Sequence, residues 1–252
     1  MRHNALIAVA VLWVASCCFP ASARSEGRLS AGVMLWRHDT SLKVEGASDF
    51  DGSNITAGER AKDWDALGSG AGVRVNYEFP KLVTLYGEAG AAQATVRDKD
   101  VADPDQNVAS RGLNDGTYYA VGARVGGDFS AKGKMFWAMG GTLSAVSTAL
   151  DQDINTSWNY DETKVAIDGK VGAWVKRVGL YGGLRFVHSR ADLNETDRTN
   201  TPGQQTRTTE LGRDGAVDIL LGAQTKGSDI AGFTEVGMVG TFSANAGLTL
   251  RF

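Results

Sequence analysis

The stretch Phe242-Ser-Ala-Asn-Ala-Gly-Leu-Thr-Leu-Arg-Phe252 alternates with a period of two. Phe242, Ala244, Ala246, Leu248, Leu250 and Phe252 fall on one face, and Ser243, Asn245, Gly247, Thr249 and Arg251 on the other. Successive side chains of a strand point to opposite sides, so this segment reads as a strand with an apolar medium on one side and a polar one on the other. Terminal residues of soluble domains fray, whereas here the pattern runs to an aromatic last residue. A strand of that kind is expected of a transmembrane β-barrel, whose strands alternate between lipid and lumen.

Working outward, the same alternation recurs nine times. The first segment, Arg28 to Arg37, has Leu29, Ala31, Val33 and Leu35 on one face. The second, Leu67 to Phe79, sets Ala71, Val73, Val75 and Tyr77 against Arg74, Asn76 and Glu78. Leu82 to Val96 sets Val83, Leu85 and Ala89 against Tyr86 and Glu88, and Tyr118 to Phe129 sets Val121, Ala123 and Val125 against Arg124 and Asp128. A fifth strand follows Met135, Trp137, Met139 and Leu143. Lys164 to Lys176 carries Asp168 and Lys170 opposite Val165, Ile167 and Val171. The seventh, from Leu180 to Phe186, carries Arg185 on its polar face. Gly215 to Thr225 has Asp218 opposite Val217 and Ile219, and the least regular segment, Ile230 to Met238, has Glu235.

The connections between these segments are long and polar on one side, at about 30, 20, 15 and 25 residues, and only about two to six residues on the other. Long outer loops, short periplasmic turns and an even strand count belong together in outer-membrane barrels. The fold class read from the pattern is therefore all-β, a transmembrane antiparallel up-and-down barrel of ten strands. Eight or twelve are the alternatives, because Thr40 to Gly46 extends the first hairpin and the ninth segment is weak. A soluble β-sandwich also alternates, but its polar face meets water and holds fewer glycines. Here charges of both signs mix with many of the 32 glycines, as a narrow, side-chain-filled barrel interior requires. On this pattern, and on the Leu248-x-Leu250-x-Phe252 ending, the chain resembles the small outer-membrane β-barrel proteins of Gram-negative bacteria, the OmpA- and opacity-like proteins in particular. The resemblance implies outer-membrane lipid as surroundings and the barrel-assembly machinery as a partner reached through Leu248, Leu250 and Phe252. It implies a monomer and no particular activity.

The amino-terminus agrees with export. Arg2 precedes an apolar run from Ala5 to Phe19, and Ala21-Ser22-Ala23 supplies a cleavage site. Residues 1–23 read as a signal peptide and 24–252 as the barrel domain. A lipoprotein box at Val14-Ala15-Ser16-Cys17 is the competing reading. Cleavage after Ala23 removes Cys17 and Cys18, the only cysteines, and with them any disulfide or thiolate metal site. The remaining 25 basic and 29 acidic residues exclude a nucleic-acid binder, which carries a basic face.

Ten charges fall on the polar faces: Arg74, Glu78, Glu88, Arg124, Asp128, Asp168, Lys170, Arg185, Asp218 and Glu235. In a narrow lumen they must pair or hold water, since an isolated buried charge costs several kcal/mol. The expected outcome is a paired network filling the barrel, the alternative a thin path for ions or small solutes. His38 and His188 are expected near the outer strand ends. Omptin proteases pair two acids and an Asp with a His; Asp98-Lys99-Asp100 mimics the first pair, but no Asp-x-His occurs. Lipid A deacylases place His and Ser one residue apart, whereas His188 and Ser189 are direct neighbours on opposite faces. Neither hydrolase motif is met, so no catalytic residue is assigned. The runs Asp98-x-Asp100-x-x-Asp103-x-Asp105-x-Asn107 and Asp151-x-Asp153-x-Asn155 lack the glycine and final glutamate of a calcium loop and read as solvated loop acids. No metal or cofactor is expected. The sequence thus reads as a non-enzymatic barrel with a structural or surface-interaction role.

Overall fold

The computed structural model describes residues 27–48, 63–80, 83–98, 110–129, 134–151, 156–197, 205–225, 227 and 229–252. The signal segment 1–23 and most of both acidic loop runs lie outside them. Ten strands follow one another: β1 (Arg28–Ser48), β2 (Asp63–Glu78), β3 (Val83–Asp98), β4 (Ser110–Asp128), β5 (Met135–Asp151), β6 (Thr156–Val175), β7 (Val178–Asp197), β8 (Gln205–Thr225), β9 (Ile230–Val239) and β10 (Phe242–Arg251). Each pairs antiparallel with its sequence neighbours, and β10 pairs with β1, closing the barrel. Ten is the count among the described residues, and the eight- and twelve-strand alternatives fall.

Closure is in register over ten residue pairs, from Ser30 opposite Arg251 to Asp39 opposite Phe242. The Phe252 amide adds a hydrogen bond to the Leu29 carbonyl (3.0 Å). Strands β6 and β7 meet at the two-residue turn Lys176-Arg177, where Lys176 has φ of 58°. Inside, glycines make room for rings on the adjoining strand: a Cβ on Gly122 or on Gly222 would lie 2.3 Å from Tyr86 or Tyr181, the residues directly opposite them.

The strands run well past the segments expected from sequence, β1 by eleven residues to Ser48 and β7 by eleven to Asp197. The reason is an inversion of polarity at mid-height. In the lower half of β1 the outward residues Leu29, Val33 and Leu35 are exposed and apolar, as lipid contact demands. Continuing on the same outward face come Arg37, Asp39, Lys43 and Glu45, while the inward face changes to Leu42 and Val44, both buried. Strand β6 does the same. Val175, Val171, Ile167 and Val165 face outward and give way to Asp161 and Asn159, while inward Lys170 and Asp168 give way to Tyr160 and Trp158. The lower half is a membrane barrel, apolar outside and polar inside. The upper half is a turret built like a water-soluble protein, with charges outside.

The turret has its own core: Leu42, Val44, Ala66, Ala94, Val96, Leu113, Trp158, Tyr160, Ala191, Leu193 and Leu211, with Trp64 packed against it. Each large apolar side chain fully buried here contributes roughly 1.5–3 kcal/mol. The turret also has fewer strands. β9 and β10 are ten residues long, β1 and β8 twenty-one. Above the tip of the β9–β10 hairpin, β1 therefore pairs directly with β8, from Lys43 opposite Gly212 to Ser48 opposite Thr208. Ten strands surround the lumen in the membrane and eight surround the apolar core above it.

On the turret exterior, Asp161, Asp192 and Glu210 stand directly opposite one another across β6, β7 and β8. Partial burial, then the carboxylates of Glu210 and Asp161, push Asp192 above the usual aspartate range. Like charges directly opposed in a sheet are destabilising. Because the folded state holds this proton more firmly than the unfolded one, Asp192 favours folding at low pH and loses that contribution as pH rises through its folded value. Asp192→Asn is expected to stabilise the turret at neutral pH by about 0.5 kcal/mol or less, screening being strong at this exposed site. The gain should shrink as pH falls toward the usual aspartate range, read as the difference in unfolding midpoint between variant and wild type.

Candidate functional site

A cavity of about 650 Å³ occupies the lumen, and its lining reaches from Arg251, Glu78 and Asp128 at the lower rim to His38, Thr40, Glu162 and Thr241 below the turret core. It carries six basic and seven acidic side chains besides His38. So near a balance leaves no dominant field to select cations or anions.

Most of the charges expected in the lumen are brought together in two clusters. In the first, Arg74 Nε donates to Glu88 Oε1 (2.6 Å), its Nη2 donates to the same oxygen, and Tyr118 donates to Glu88 Oε2 (2.7 Å). The guanidinium also lies 4.8 Å from the Tyr86 ring centre and 4.9 Å from that of Phe233. The second is centred on Glu235. Its Oε2 accepts from Lys170 and from Tyr181 (3.1 Å), and its Oε1 accepts from Arg185. Asp168 lies 3.2 Å from Lys170, and Arg124 adds positive charge close by. Adjacent inward positions explain the grouping: Asp168 faces Arg185, and Arg185 faces Asp218, across neighbouring strands.

The other three behave differently. Glu78 meets Arg251 at 3.4 Å at the lower rim, and Asp128 is exposed there. Asp218, fully buried, holds the tip of the β9–β10 hairpin: Oδ1 accepts from the amides of Gly240 (3.0 Å) and Thr241 (2.6 Å), and Oδ2 from the Thr241 hydroxyl. This carboxylate binds the backbone of the tip while standing opposite Arg185.

A further inward cluster was not singled out from sequence. His38 Nε2 lies 3.3 Å from Glu162 Oε2, and Lys164 Nζ lies 3.2 Å from Glu162 Oε1. His38 stacks on Trp36 with ring centres 5.0 Å apart. The expectation that His38 lies near its strand's outer end is corrected: β1 continues ten residues beyond it, so His38 points inward at mid-height. His188 faces outward opposite Val165, while Ser189 is buried inward opposite Lys164. Base and hydroxyl thus stand on opposite sides of the wall. Among the described residues no group of three or more His, Cys, Asp or Glu is arranged to hold a metal ion.

The aromatics divide by face. Tyr77, Phe129 and Phe252 lie at the lower edge on the outside, Phe79 and Trp137 border the lower mouth of the cavity, Trp36, Tyr86 and Tyr181 line the lumen, and Trp158 and Tyr160 belong to the turret core.

No protein-family model matches the chain, and no curated protein matches it either. Solved structures do. The outer membrane protease OmpT from Escherichia coli superposes with a TM-score of 0.52 at 9% identity, over 89% of this chain and 97% of that one. The outer membrane protein OprG from Pseudomonas aeruginosa aligns over 88% of this chain and 97% of its own at 11% identity and a TM-score of 0.44. At such identities the likeness concerns the fold. The closed ring of ten antiparallel strands, its apolar outer belt and the likeness to the OmpT fold agree that the chain has the fold of the small outer-membrane β-barrel proteins.

Proposed function

We propose that the chain is a non-enzymatic, integral outer-membrane protein that does not conduct across the membrane and offers its polar turret as a surface for interactions. The observation that supports this most strongly is the apolar cluster of Leu42, Val96, Leu113, Tyr160 and Leu211, all at or below 1% exposure. It lies at the outer end of the lumen, where a water path would have to pass. Most charges below it are paired, as a side-chain-filled small barrel needs. A narrow channel is the second reading, favoured by the cavity of about 650 Å³ that reaches the lower rim.

For a hydrolase, the acid–base couple we would assign among the described residues is His38 with Glu162, and it lies under the apolar core. Outer membranes with and without the protein are expected to give the same lipid A mass spectrum and the same pattern of peptide cleavage. A product that disappears with His38→Ala would refute the non-enzymatic reading.

Assembly is read through the closing strand. Deleting Phe252 removes the donor to the Leu29 carbonyl and one exposed ring of the Leu248, Leu250 and Phe252 row. Secretion is expected to continue while heat-modifiable, membrane-inserted protein falls. Equal insertion of the truncated chain would remove the assigned role of the terminus.

A further inference from the structure

Six basic side chains line the lumen cavity, and five of them hold an acidic partner. Arg74 is bound to Glu88, Lys164 to Glu162, Lys170 and Arg185 to Glu235, and Arg251 to Glu78. The sixth, Arg124, makes no hydrogen bond or ion pair with any of the described residues, and its Nε is buried without a partner. The acids nearest to it are committed elsewhere. Glu235 already accepts from Lys170, Arg185 and Tyr181, and Asp168 lies beside Lys170. A guanidinium stays charged, and a charge drawn out of bulk water costs free energy until an acceptor reaches it.

The neighbouring residues leave room for one. The next inward residue on β4 is Gly126, and opposite Arg124 and Gly126 on β5 stand Gly140 and Ala138. On the other side Thr84 faces Arg124 from β3. None of these four is larger than threonine, and Thr84, Gly126 and Ala138 line the cavity together with Arg124 itself. Lower down the cavity is bordered by Val83, Phe136 and Trp174, the two rings packed with centres 4.9 Å apart. It opens at the lower rim, on the side of the short turns. Its volume of about 650 Å³ is that of a small-molecule site, roughly 300–1,000 Å³.

We propose that the lower lumen is a binding site for a short-chain organic monocarboxylate, which enters by the lower mouth and gives its head to Arg124. The planar fork of a guanidinium matches the two oxygens of a carboxylate. One free fork takes one head. A Cβ on Gly140, opposite Arg124, would lie 3.3 Å from Asp168 Oδ1, so a carboxylate already stands close by and disfavours a dianion such as a phosphate monoester. The apolar tail, a few carbons long, points down toward Phe136, Trp174 and Val83. Because the site is reached from below, it holds whether or not ions pass the turret core.

Butyrate carrying a terminal trifluoromethyl group, titrated at neutral pH into the folded full chain in dodecyl maltoside micelles and followed by fluorine NMR, tests this. Saturable binding of one molecule per barrel, absent from empty micelles, is expected. The uncharged trifluorobutanol is expected to behave as it does with empty micelles, and plain butyrate to displace the probe at concentrations where chloride does not. Arg124→Gln orphans no acceptor, so the barrel should keep its heat-modifiable migration while affinity falls about tenfold or more. Arg124→Lys keeps the charge without the fork and should fall between the two. Should the glutamine variant fail to fold, the comparison of butyrate, the alcohol and chloride on the wild-type barrel decides. No saturable binding to the wild type, equal binding of the alcohol, displacement by chloride as readily as by butyrate, which marks a counter-ion only, or undiminished affinity in Arg124→Gln would overturn the proposal.

Discussion

Glu235→Ala is expected to destabilise the barrel by about 3–5 kcal/mol, the cost of breaking a buried ion pair from one side. Three donors converge on this carboxylate, from Lys170, Arg185 and Tyr181. Without it two cations, with Arg124 near them, are left with Asp168 beside Lys170 and Asp218 opposite Arg185. Urea midpoints of the folded protein in detergent micelles would read the loss. Glu235→Gln should recover little, because an amide offers the same shape without the charge. Combining Glu235→Gln with Lys170→Met should recover a good part, because the cation that lost its partner is gone; closely coupled sites depart from additivity in this way. A Glu235→Ala barrel as stable as wild type would mean that water, and not the carboxylate, neutralises the cluster.

Trp158→Ala carries the second large effect. The indole is 7% exposed at the heart of the turret core, and truncating a buried tryptophan costs about 3–5 kcal/mol through lost burial and the cavity left behind. The damage should be local, because the membrane half draws its stability from lipid contact and from the clusters around Glu88 and Glu235. The expected result is a barrel that still inserts and still migrates as a compact species, with outer strand ends newly open to added protease. Loss of insertion together with the turret would show the two halves to be one cooperative unit.

The division into two halves also explains how much could be read beforehand. The lower strand segments were legible because lipid outside and charge inside produce one uninterrupted alternation, as in Val73, Val75 and Tyr77 against Arg74, Asn76 and Glu78. The upper segments keep the period and reverse its sign. In β1 the apolar positions change from odd, Leu29 to Leu35, to even, Leu42 and Val44. A search for one continuous apolar face stops at that change and assigns the remainder to loops, so Glu162 falls outside every expected strand and His38 is put at the end of its own. The signal was present in pairs such as Leu42 against Lys43, or Trp158 against Asn159 and Asp161.

The site residues were legible by face and not by partner. Period-two spacing put Glu235 and Asp218 on polar faces alike. That one neutralises two cations while the other caps a hairpin tip follows from the height at which β9 and β10 stop, and that depends on the direct pairing of β1 with β8. Arg213 is hidden for the same reason. Its task, bridging Ser41 and Gly240, exists only where two strands of the wall end early.

Recording from purified full-length protein in planar lipid bilayers tests the central claim, a lumen sealed by the turret core, most directly. The expected record is silent across a range of salt concentrations, with no discrete steps at either polarity. Reproducible unitary steps from the wild-type protein would contradict it, because ions would then be crossing the level of Leu42, Tyr160 and Leu211.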